Sequence, residues 1–221
     1  MLAGHIGVAL AVGSTERRVN VGVFIAAALL LDLVLWLFVL LGIESVSIPP
    51  DFETTRQVEF VFPYSHGLLA AAVWSLAAGA IGFWACSRLQ QQRWRIGGLI
   101  AAAAFSHWLL DALVHKPELP IAGGGSLQLG LGLWDAMPIA VGVEAAIVVL
   151  GVYLFVAGSR SSRGRSVALA VLGLAVLALT VFGMTVAPPA PSAFAMALSS
   201  LLTLVAVTAL AVWLGRLPPA G

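Results

Sequence analysis

Phe105-Ser-His-Trp-Leu-Leu-Asp-Ala-Leu-Val-His-Lys-Pro-Glu118 closes an apolar run that begins at Ile96 and reaches Val114. A helix needs about 20 apolar residues to cross a bilayer, and this run is close to that length. His107, Asp111 and His115 follow one another at i, i+4 and i+8. On an α-helix that spacing places all three on one stripe. An ionisable group at the centre of a spanning helix costs ~2.5–3.5 kcal/mol on insertion scales, so such groups usually serve a function. The rest of the chain is read outward from this stripe.

Composition agrees with a membrane setting. The 221 residues are 61% hydrophobic and 10% charged, with mean hydropathy +1.04. Soluble domains carry roughly 25% charge. The fold class predicted is all-α: an integral, polytopic membrane protein. The net charge of +1 says nothing about nucleic acid, but the chain has no basic patch suited to it, so no nucleic-acid partner is expected. Membrane lipids are the expected surroundings. One cysteine, Cys86, excludes an internal disulfide and a Cys-rich metal site, and it reads as an inert apolar thiol. Met1–Val12 is apolar but has no basic segment ahead of it, so it is not read as a signal peptide.

Six runs have spanning length, at about 19–43, 65–87, 96–115, 132–157, 167–187 and 193–214. Arg17, Arg18, Arg88, Arg93, Arg95, Arg160, Arg163, Arg165 and Arg216 all fall on one side of them. Those are nine of the eleven Lys and Arg residues, and only Arg56 and Lys116 fall on the other side. The positive-inside rule then puts both termini in the cytoplasm of a cell whose plasma membrane holds the chain. Twelve helical residues cover only ~18 Å, so Met1–Val12 is too short to span. It either lies on the cytoplasmic face or enters as a half-helix, and the second course carries His5 inward. The outer segment Glu44–Pro63 reads as a short interfacial helix or lid, and the Gly-rich segment Lys116–Gly130 as a flexible loop. The last two spans hold no ionisable residue and read as scaffold. The expected organisation is a polar-site-bearing core over 1–157 and an apolar two-helix scaffold over 158–221.

The polar residues gather at one depth. Counted from the cytoplasmic ends, Asp32 lies ~20 Å deep, His107 ~16 Å, Asp111 ~22 Å and Glu144 ~20 Å. His66, in Pro63-Tyr-Ser-His-Gly, comes out at ~31 Å, at the outer rim, and joins the layer only if its span tilts or the cavity opens outward. Acids and imidazoles with no nearby Lys or Arg either stay protonated or hold a cation. His with Asp or Glu is a ligand set suited to Zn²⁺, with Mn²⁺ or Fe²⁺ as alternatives. His66, His107, Asp111 and Asp32 are the candidate ligands, and His5 joins them if the half-helix enters the membrane. Glu144 is the candidate general base, or a partner of a ligand. Plainer roles compete. Asp32 taken alone has a second reading as a protonated acid bonding a neighbouring helix. His115 and Lys116 read as solvated interface residues, Asp135 as an acid at a helix start, and Tyr64, Trp108 and Trp134 as belt aromatics.

The motifs resemble a family, the bacterial inner-membrane proteins described as membrane-bound, metal-dependent hydrolases, also called LexA-binding inner-membrane-associated hydrolases. Its early Gly-His corresponds to Gly4-His5, its acid closing the first span to Asp32, its Thr-His-Ser-like motif to Tyr64-Ser-His66-Gly, and its Ser-His-x-x-x-Asp to Ser106-His107 through Asp111. The resemblance covers about residues 1–155. This chain has a single Asp32 where the family has Pro-Asp-x-Asp, and Phe62-Pro63 where it has His-Arg. The resemblance implies a metal-dependent hydrolase of the inner membrane, and the depth of the site suggests a lipid or lipid-linked substrate. Two other functions suit the same residues: a small transporter or channel for protons or divalent cations, and a non-catalytic membrane assembly protein. Gly130-Leu-Gly-Leu-Trp134 looks like the mark of a closer subgroup.

Overall fold

The computed structural model describes residues 1–158 and 163–216. Arg160, counted above among the loop charges, lies outside the described residues. The chain is almost wholly helical. α1 (Leu2–Thr15) is the short helix. α2 (Val21–Ala28) and α3 (Leu30–Leu40) follow, then α5 (Leu68–Ala85), α6 (Arg93–Val114), α7 (Met137–Gly158), α8 (Arg163–Thr185) and α9 (Ala193–Leu214). Five helices among the described residues are long and apolar enough to span. The bent pair α2–α3, broken at Leu29 by 49°, makes a sixth if counted as one span. The expected all-α polytopic architecture is therefore present, and each expected run overlaps one of these helices or the bent pair, with α6 and α8 starting three and four residues earlier than expected.

α1 takes the inward course. Its Leu2 end is buried at the centre of the bundle, and its Thr15 end meets the arginine-rich face. Arg95 of α6 closes that face by donating to Thr15 O (2.7 Å) and to the buried Glu16 carboxylate (3.1 Å). A cation at the carbonyl end of a helix is favoured by the helix dipole. α1 lies against α7 through glycine. A Cβ on Gly7 would sit 2.7 Å from Ile147 O, and one on Gly151 would run into the Gly7 backbone. Without side chains at these two positions the helix backbones approach closely, as small residues allow in membranes.

The outer loops are more structured than the sequence suggests. In 44–63, β1 (Ser45–Ser47) pairs antiparallel with β2 (Glu59–Val61), and the single turn α4 (Phe52–Thr55) lies between them. Arg56 donates from there to Ala187 O, 2.7 Å away beyond α8. The loop read as flexible forms a small hairpin of β3 (Leu119–Pro120) with β4 (Gln128–Leu129). Beyond it, Gly130–Trp134 straps the end of α6. Leu131 N donates to Ala112 O and Gly132 N to His115 O, both at 2.8 Å. These bonds satisfy carbonyls that a helix end otherwise leaves unpaired. Gly130 has φ +150 and lies directly on the His115 and Lys116 carbonyls, so no side chain fits there.

The core lies beneath the polar layer, toward the arginine-rich face. Ile6, Leu10, Phe24, Ile25, Ile100 and Ala103 fill it, all buried.

Candidate metal centre

Each polar side chain reaches the centre for a local reason. α6 is 22 residues long and begins at Arg93 rather than Ile96. The earlier start moves His107 and Asp111 ~5 Å nearer the outer end than the sequence count placed them. His66 sits in the turn just before α5, whose first helical residue is Leu68. The mismatch in depth between His66 and α6 largely disappears. His66 Nε2 lies 3.2 Å from His107 Nε2 and 3.3 Å from Asp111 Oδ2. His107 Nε2 is 3.1 Å from the same Asp111 oxygen. Asp32 Oδ1 stands 3.6 Å from both imidazole nitrogens. His5, on the inner end of α1, stacks on the His107 ring at 3.7 Å and brings its Nε2 to 3.2 Å from Asp111 Oδ1. The five expected ligand residues thus meet in one cluster, contributed by α1, α3, α6 and the turn before α5.

The far sides of the rings are anchored. His107 Nδ1 donates to Ala28 O at 2.6 Å. Ala28 is the last residue of α2, so the bend at Leu29 presents a carbonyl to the imidazole. A carbonyl only accepts, so the proton is on Nδ1 and neutral His107 offers the lone pair of Nε2 to the centre. His66 Nδ1 is held 2.8 Å from Ser65 Oγ. Metal-binding histidines characteristically have their other ring nitrogen tied in this way.

The turn carrying His66 is fixed from three directions. Buried Glu44 accepts from Tyr64 N (2.8 Å) and Ser65 N (2.9 Å). Trp108 Nε1 donates to His66 O (2.9 Å), and Trp74 Nε1 to Tyr64 O (2.9 Å). Trp108, read as a belt aromatic, is buried and holds the backbone of a candidate ligand; Tyr64 is exposed. His115, read as solvated, is buried too. The Gly130–Trp134 strap covers it, with the Trp134 ring 4.2 Å away. Its Nδ1 donates to Glu118 at 2.6 Å, leaving Nε2 for another partner.

Glu144 is buried on α7 and faces α1. Its Oε1 accepts from Gly4 N at 3.2 Å, in the first turn of the helix that carries His5. An acid at a helix start satisfies an unpaired N–H and complements the dipole. Asp135 is exposed and accepts from Gln57 Nε2 (3.0 Å).

The donor set fits a divalent ion. His66, His107 and Asp111 each offer one atom with all three atoms within 4.8 Å, and so do His5, Asp32 and His107. His5 Nδ1 is buried without a partner, and His5 Nε2 and Asp111 Oδ1 make no hydrogen bond beyond facing each other at 3.2 Å, with the Met1 amine 3.7 Å from the same oxygen. Such atoms cost roughly 1–3 kcal/mol each when left unpaired. A cation among them would convert that cost into ligation.

The cluster lies at one end of a cavity of about 450 Å³. Asp32, His66 and Asp111 line its floor, and Trp36, Phe60, Phe62 and Trp134 give it aromatic walls around His115. Residues of α8 and α9 complete it, so the helices read as scaffold share in the cavity.

No protein-family model, curated protein or solved structure matches this chain.

Proposed function

We propose that the chain is a membrane-embedded, metal-dependent hydrolase acting on a lipid or lipid-linked substrate from the side opposite the arginine-rich face. That reading accords with the family resemblance of residues 1–155. The observation that carries it is the convergence of His66 Nε2 and His107 Nε2 on Asp111 at the floor of a cavity, with His107 anchored behind by the Ala28 carbonyl. His66, His107 and Asp111 would hold the ion, Zn²⁺ before Mn²⁺ or Fe²⁺, with Asp32 and His5 beside them. A divalent ion in such a site supplies Lewis acidity and brings the pKa of a water toward ~7. His115 stands at the same cavity with Glu118 behind it, the arrangement of an imidazole that takes up and returns protons. Glu144, bonded to Gly4, serves by orienting α1 and therefore His5.

The packing beneath the floor favours an enzyme over a transporter. Ile6, Leu10, Phe24, Ile25 and Ile100 are buried there, and a transit path to the arginine-rich face would have to pass through them. The excess of arginine on that face supports a cytoplasmic placement of it in a bacterial inner membrane.

The test is metal content per mole of detergent-purified protein, purified without chelator and offered Zn²⁺. Wild type should retain close to one ion, while His107→Ala and Asp111→Asn should retain almost none and still insert. The loaded protein should release product from ester or phosphoester lipids in vesicles, and chelation should abolish the release. A wild type as metal-free as His107→Ala rejects the reading in favour of a structural cluster.

A further inference from the structure

The cavity has a second side that the metal centre does not account for. α8 and α9 are consecutive and antiparallel, joined through residues 186–192, yet each packs more on other helices than on its neighbour. α8 lies on α7 and α1, and α9 on α3 and α2. The cavity reaches the cleft between them, where Leu179 and Gly183 of α8 face Ser199, Thr203 and Leu204 of α9. These residues lie in the halves of α8 and α9 away from the arginine-rich face, as does the metal centre. The cleft also reaches the outside of the bundle. Of the residues that line it, Leu179 is 50% exposed and Gly183 and Ser199 are exposed too, while Phe182 of α8 and Leu202 of α9 present apolar surface that the bilayer would cover.

The chemistry of the cleft suits hydrocarbon. Ser199 donates its hydroxyl to Met196 O (3.1 Å), and Thr203 donates to Ser199 O (2.8 Å). Their donors are spent on their own helix, which is how hydroxyl residues are tolerated in lipid. The wall they form has no unmet donor from these two side chains, and Leu179 and Leu204 add apolar surface. Beyond the cleft, aromatic walls lead to the histidines and carboxylates. An amphiphile would therefore find an apolar side passage ending at a polar floor, inside a volume of the size that binds small ligands.

We propose that the cleft between α8 and α9 is a lateral portal through which one hydrocarbon chain of a membrane-resident amphiphile enters the cavity, its head group resting against the His66–Asp111 floor. The chemistry done on that head group rests on the hydrolase reading; the passage of the chain needs neither metal nor turnover.

Gly183 provides the test. A Cβ there meets nothing within 4 Å, so a side chain can start from the cleft at this position without a clash at its base. Protein is reconstituted in phosphatidylcholine vesicles containing a phospholipid with a terminal diazirine on one acyl chain. After irradiation, adducts are mapped by mass spectrometry. Wild type should carry adducts on the cavity residues Trp36 and Phe60 as well as on lipid-facing Phe182 and Leu202. Gly183→Trp, and independently Ser199→Trp, should lower the cavity adducts roughly tenfold, equivalent to ~1.4 kcal/mol, and leave those at Leu202 unchanged. Wild type labelled only on its outer surface, or cavity adducts undiminished in both variants, would overturn the portal. Metal content is read on the same samples. Bound metal without cavity adducts rejects the portal alone, and cavity adducts on metal-free protein uphold the portal while rejecting the hydrolase.

Discussion

Glu44 shows how a residue far from any ligand position can govern the site. One of its oxygens accepts the N–H groups of both Tyr64 and Ser65 inside the protein. Replacing it with alanine strands the buried Ser65 N–H, at roughly 1–3 kcal/mol, and frees the half-buried Tyr64 N–H as well. The His66 turn would then lose a main anchor while every ligand remains. Partners of this kind typically change metal affinity by about 10–100-fold. Glu44→Ala should weaken Zn²⁺ binding by that order in a competition titration, and Glu44→Gln, which keeps an acceptor oxygen, should recover most of it. Equal affinity in Glu44→Ala and wild type would show that the turn holds His66 without it. His115 invites a different measurement. Its ring is tied to Glu118 and covered by Trp134, outside the two groups of converging ligand atoms. His115→Ala should leave metal content near wild type and slow lipid hydrolysis by about 10²–10⁴-fold, the usual contribution of a proton-transfer group. Loss of the metal instead would make His115 part of the ion's coordination.

Among the elements, α1 is the one whose placement depends most on packing. Fourteen residues cannot span a bilayer, and its apolar surface is satisfied only between α2, α6, α7 and α8. Its depth is set at one end by Arg95 on Thr15 and Glu16, and at the other by Glu144 on Gly4. The Gly7–Gly151 approach sets its distance from α7. Gly151→Val should therefore push α1 outward, at a cost of ~1–3 kcal/mol for overpacking. His5 would leave the face of His107, while the six spans persist. The expected readout is a lower thermal midpoint together with new labelling of a cysteine placed at His5, at unchanged helix content by circular dichroism. An inaccessible cysteine at that position in Gly151→Val would show that α1 tolerates the extra side chain in place.

At the scale of the whole molecule, the arginines and the polar cluster divide the bundle between them. The arginine-rich face is closed by the buried apolar core, and the opposite half holds the candidate ligands, the cavity and the two outer strand pairs. Reporter fusions at Gly123, in the β3–β4 hairpin, and at Gly164, at the start of α8, should report opposite sides of the membrane, Gly164 the cytoplasm. A same-side result would mean that α7, the one span between them, does not cross.

Composition and hydrophobic run length were enough to establish a polytopic helical protein, because in lipid every backbone polar group must be satisfied within a helix. Helical periodicity likewise placed His107 and Asp111 together, since residues four apart share a face. The remaining partners are joined by contacts that no local rule encodes. Glu44 reaches Tyr64 and Ser65 about twenty residues on, Ala28 O meets His107 79 residues on, and Glu144 meets Gly4 across 140 residues of chain. His5 could have lain on the surface or inside, and glycine contacts with α7 decided for the inside. The last two spans looked inert because residues 167–187 and 193–214 hold no ionisable side chain. A cavity wall needs shape rather than charge, and shape appears only when helices distant in sequence are packed side by side.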